Sequence, residues 1–79
     1  MNDQEPLDSD WQRHRFLDAL DRHPIEVNDW EFKFIQDLKD ATRFSPKQAS
    51  VIDKMYAKYG KIIGYSPTQD NVPFWYAQL

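Results

Sequence analysis

Four lysines recur along one stretch of the chain: Lys47, Lys54, Lys58 and Lys61. On a helix these positions fall within about 60° of one another. Ammonium groups in such a row can track a phosphate backbone, and nearby Tyr or Trp rings can stack on unpaired bases. Binding by so few charges would be weak and salt-sensitive, and the same row on an ordinary helix simply solvates it. A second group is acidic: Glu26, Asp29, Asp37 and Asp40, partly relieved by Lys33 and joined by the N-terminal run MNDQEPLDSD. Such a patch can meet the basic channel of a nucleic-acid enzyme by steering and charge complementarity, or it can serve solubility alone. The third group is the C-terminal run VPFWYAQL, in which Trp75 and Tyr76 are residue types that anchor protein interfaces. The alternative for that run is a tail that covers the core.

Catalytic chemistry finds little support. His14 and Asp18 stand four apart and can meet on a helix, but a third ligand at metal spacing is missing. His23 precedes Pro24, where capping a helix end is its ordinary role. Gly60 and Gly64 follow a helix rather than a strand, so they do not make a phosphate loop. There is no cysteine nucleophile and no Gly-x-Ser-x-Gly run. The carboxylates are spread over polar faces with no matched acid and base. We expect no enzyme activity, no metal and no cofactor.

The lysine row needs a helix, and Phe44 to Gly60 supplies the signals for one. Ser45 is an N-cap, Pro46 sits at the first helical position, and Gln48 completes a capping box. Gly60 is placed to end it, with KIIGY beyond as a possible extension. Val51, Ile52, Met55, Tyr56 and Tyr59 share its apolar face. Upstream, Asn28 with Glu31 forms a second capping box, and Trp30, Phe34, Ile35, Leu38 and Ala41 form an inward face. A first helix starts at Ser9 or Asp10 and stops before Pro24, with Phe16, Leu17 and Leu20 as its stripe.

The expected fold is therefore all-α, a small three-helix bundle with helices near 9–23, 29–43 and 46–60. Residues 1–8 read as a disordered acidic arm, 9–65 as the three-helix domain, and 66–79 as an aromatic C-terminal segment packed on it. The expected core is Phe16, Leu17, Leu20, Trp30, Phe34, Ile35, Leu38, Ile52, Met55, Tyr56 and Tyr59. Seventy-nine residues without cysteine make a marginal domain, and its twelve aromatics must supply much of the burial. Residues 1–42 carry eleven acids and five bases, and residues 43–79 two acids and five bases. That split suggests a bipolar surface rather than a general DNA-coating protein. No apolar run approaches a membrane span or a signal-peptide core, so a soluble cytoplasmic protein is expected.

Trp30-Glu31, Phe34-Ile35, Leu38, Ser45-Pro46-Lys47-Gln48, Val51-Ile52 and Lys54-Met55-Tyr56 resemble one known module. It is the small helical accessory domain attached to, or encoded beside, UvsW-type phage recombination helicases. The likeness covers residues 28–60, with Phe44 where a smaller aliphatic residue is expected. It implies a non-catalytic helper in nucleic-acid metabolism. Separately, Asp70-Asn71-Val72-Pro73-Phe74 is similar to the acidic tip of bacterial single-stranded-DNA-binding proteins, although that tip ends at its Phe and here Trp75 to Leu79 follow. Protein binding is the first expectation for direct activity. The alternatives are an anti-CRISPR-like inhibitor acting through the acidic face and a weak single-stranded nucleic-acid binder acting through the lysines.

Overall fold

Each helix begins where a side chain can accept the free amides of a first turn. The computed structural model describes residues 5–69 and 72–78. In it α1 runs Asp10–Arg22, α2 Asp29–Leu38 and α3 Pro46–Ile63. Short 3-10 turns follow at Pro67–Gln69 and Phe74–Gln78. Ser9 caps α1 by accepting from the Gln12 amide. Asn28 and Glu31 exchange hydrogen bonds of 2.7 and 3.0 Å at the start of α2, and Ser45 and Gln48 do the same at the start of α3. Among the described residues there is no strand. The protein is an all-α three-helix bundle.

The central element is α1, which packs on both other helices. It brings Phe16, Leu17 and Leu20, all buried, against Ile35 from α2 and Ile52, Met55, Tyr56, Tyr59 and Ile63 from α3. Phe16 meets the rings of Tyr56 and Tyr65 edge-on at 5.4 and 5.6 Å. Arg13 ties α1 to α3 by pairing with Asp53 at 2.9 Å and with Asp10 at 2.7 Å. The other oxygen of Asp10 accepts from the Phe44 amide, which fixes the joint between α2 and α3.

Four expectations need correction. The first concerns the arm. Leu7 is buried in the core, the Tyr56 hydroxyl donates to the Glu5 carbonyl, and the Asp8 amide donates to Gln12 at 2.6 Å. Residues 5–8 are thus anchored through Leu7, because burying even one leucine is worth about 1.5–3 kcal/mol, although Glu5, Pro6 and Asp8 stay exposed; residues 1–4 lie outside the described residues. Second, α2 ends at Leu38 rather than near 43. Tertiary bonds take over the joint: the Phe44 amide goes to Asp10 and the Thr42 carbonyl to Tyr76.

Third, α3 continues through Gly60 to Ile63 and stops at Gly64, whose φ is +71°. The Tyr65 amide donates to the Gly60 carbonyl and the Gly64 amide to that of Lys61, a Schellman ending. Glycine inside a helix costs about 1 kcal/mol, and burial of Ile63 offsets it. Fourth, Trp30 is not in the core; it is 60% exposed, and Phe34 and Leu38 are only half-buried.

Candidate functional site

Between α2 and α3 the chain buries the carboxylate of the capping residue Glu31. Glu31 is 7% exposed. One carboxylate oxygen accepts from the Tyr59 hydroxyl at 2.7 Å and from the Asn28 amide, and the other from Lys58 at 3.2 Å. Burial pushes the Glu31 carboxyl up. The Tyr59 hydroxyl, the Asn28 amide and Lys58 outweigh burial and hold the group below its ordinary value. The backbones of α2 and α3 otherwise approach each other little. The two helices are pinned by this polar contact, and beside it a groove stays open.

That groove has a volume of about 270 Å³. Trp30 forms one wall, Val51 and Met55 the apolar lining, and Lys54 and Lys58 the α3 bank. Trp30 stacks on Phe34 with ring centroids 5.3 Å apart and planes 15° apart. A second, smaller hollow of about 130 Å³ is lined by Trp30 with Lys33, Phe34 and Asp37. Trp30 therefore borders two concavities. Helical spacing groups Trp30 with the inward face of α2, and the structure instead leaves it 60% exposed. What periodicity could not show is that α2 and α3 would meet through Glu31, with a groove left open beside Trp30.

All four expected lysines lie on α3 as one continuous helix. They do not act alike. Lys58 is committed to Glu31 and lies 4.9 Å from the centre of the Tyr59 ring. Lys47, Lys54 and Lys61 are exposed and carry no ion pair to another described residue. The acidic group is spread out: Glu26 lies in the connector, Asp29 and Asp37 on α2, and Asp40 beyond its end. All four are exposed, and Asp37 pairs with Lys33 at 3.5 Å.

At the C-terminal end the two expected anchors part company. Tyr76 is only 5% exposed, so it is a packing residue and not a contact surface. Its hydroxyl donates to the Thr42 carbonyl at 2.5 Å, its own carbonyl accepts from Arg43 at 2.9 Å, and the Arg43 guanidinium lies 3.9 Å over its ring. The sequence suggests a packed aromatic segment but cannot name its partners, which stand more than thirty positions away. Trp75 remains exposed, edge-on to Trp11 at 5.4 Å. Val72 and Phe74 of the tip-like run are exposed, whereas Asp70 and Asn71 lie outside the described residues.

His14 and Asp18 do not pair: Asp18 is held by Arg22 at 3.2 Å and by Arg15 at 3.8 Å, and His14 packs beside Trp11. His23 meets the Ala19 carbonyl at 2.8 Å, a helix-end contact. Among the described residues no cluster of three or more His, Cys, Asp or Glu is placed to hold a metal ion, and no helix is long and apolar enough to cross a membrane. No protein-family model, curated protein or solved structure matches the chain.

Proposed function

We propose that this chain is a non-enzymatic protein-binding accessory module that works in phage or mobile-element nucleic-acid metabolism, in the cytoplasm. The observation that carries the binding reading is Trp30. A tryptophan held 60% exposed on a capped helix, stacked on Phe34 and bordering an apolar groove, has the composition and rigidity of an interface anchor. Phe32, Phe74 and Trp75 are exposed as well. The cellular setting rests on the resemblance of residues 28–60 to the helicase accessory domain.

A second reading, weak single-stranded nucleic-acid binding, draws on Lys47, Lys54 and Lys61, exposed on α3 without ion pairs to described residues. A third, an inhibitor of a nucleic-acid-processing complex, draws on exposed Glu26, Asp29, Asp37 and Asp40. Two experiments separate them. Affinity capture with the tagged full chain should retain a specific protein that Trp30→Ala loses and that replacement of the three lysines retains. Titration of labelled single-stranded DNA at low salt should give no saturable binding. Capture of nothing, together with salt-sensitive DNA binding lost in the lysine variant, would replace the first reading by the second. Capture abolished only by neutralising the four acids would favour the third.

A further inference from the structure

We propose that the groove between Trp30 and α3 receives one apolar side chain of an acidic protein segment, with a carboxylate of that segment paired to Lys54. The inference rests on the protein-binding reading and names the chemistry of the partner.

The size comes first. At about 270 Å³ the groove falls just short of the roughly 300–1,000 Å³ typical of small-molecule sites, and it suits a single inserted side chain. Its lining comes next. Trp30, Val51 and Met55 offer apolar contact, and Met adapts to the shape of what enters. Charge then selects the flanking group. Lys54 and Lys58 border the groove, with Lys47 and Lys61 further along α3. Glu31 answers one of these cations, and it already serves Tyr59 and Asn28. The α3 bank therefore keeps an uncompensated positive charge beside an apolar slot, the complement of a hydrophobic residue flanked by Asp or Glu.

A nucleic-acid strand fits less well. One face of Trp30 is already taken by Phe34, which leaves little stacking platform for successive bases.

The test uses the full chain labelled with nitrogen-15 and a short synthetic peptide with a central leucine among glutamates. Two control peptides replace the leucine by serine or the glutamates by lysines, and an oligothymidine of similar length serves as the nucleic-acid probe. The glutamate–leucine peptide should shift the Trp30 indole and the Val51, Lys54 and Met55 amides, and leave the Trp75 indole in place. Both control peptides should fail at the same concentrations. Trp30→Ala should weaken the peptide at least thirtyfold, the loss of an anchor worth ~2 kcal/mol. Lys54→Ala should weaken it about fivefold, as loss of a rim ion pair of ~1 kcal/mol requires.

Equal shifts with the lysine peptide, or groove shifts with oligothymidine and none with the acidic peptide, would overturn the proposal. The same variants applied to a captured partner distinguish its failure from that of the broader reading. A partner released by Trp75→Ala and retained by Trp30→Ala overturns the groove while protein binding stands. Failure of the chain to capture any protein removes both.

Discussion

Replacing Glu31 gives a graded test of how α2 is held to α3. In Glu31→Ala the buried Tyr59 hydroxyl loses its acceptor at 2.7 Å, and the Asn28 amide loses half of the capping box at 3.0 Å. A buried donor left unsatisfied costs about 1–3 kcal/mol, and loss of capping adds roughly 1 kcal/mol. The total, about 2–4 kcal/mol, approaches the roughly 3–5 kcal/mol that a single core of this size supplies. Glu31→Ala should therefore be largely unfolded near body temperature. Glu31→Gln keeps an acceptor for Tyr59 and Asn28 but loses the charge, a change of about 1 kcal/mol. Its melting temperature should fall by about 4–8 °C.

The pH dependence follows from the depressed carboxyl. The folded value lies below the ordinary 4.5, so the charged group stabilises above that pH. This contribution disappears as the pH falls from about 4.5 through the lower folded value. The stability gap between the wild type and Glu31→Gln should be constant near neutrality and shrink on acidification. Thermal and urea melts followed by circular dichroism between pH 3 and 7, the range that brackets the ordinary carboxylate value, measure it. A gap that widens in acid, or a Glu31→Ala protein as stable as the wild type, would refute the reasoning.

Other substitutions probe the remaining joints. Gly64→Ala has free space around the new methyl, so its cost should be the left-handed backbone alone, about 1–2 kcal/mol in a urea melt. Trp30→Ala should change stability by less than ~1 kcal/mol, because most of the ring is in solvent. Leu7→Ala should cost about 2–5 kcal/mol in a urea melt, since Leu7 belongs to the core, and no measurable change would contradict that placement. Tyr76→Phe removes the donor to the Thr42 carbonyl and should cost about 1 kcal/mol, with faster amide exchange over 72–78.

What was legible in the sequence is what local chemistry decides. Asn28 and Ser45 cap their helices as read, α1 starts at Asp10 within the expected bounds, and Phe16, Leu17, Leu20, Ile35 and Ile52 face inward as their spacing requires. What was illegible depends on residues far apart in the chain. Glu31 reads as a capping residue, which it is, and nothing local shows that Tyr59 and Lys58 will also seize it. That contact leaves Trp30 outside, and a helix-period count cannot distinguish a residue facing a neighbour from one facing the gap beside it. Leu7 was missed for the same reason, and Tyr76, on the segment expected to pack, reads as an interface anchor because Thr42 and Arg43 lie far from it in the chain. Gly60 carried a stop signal that the burial of Ile63 overrode.

The account turns on Trp30 standing in solvent at the groove. Fluorescence of a variant with Trp11→Phe and Trp75→Phe reports on that ring alone. Red-shifted emission, readily quenched by acrylamide in the free protein and protected by the glutamate–leucine peptide, is the predicted result. Blue-shifted emission already shielded from quencher in the free protein would place Trp30 in the core and contradict both the fold at this point and the function drawn from it.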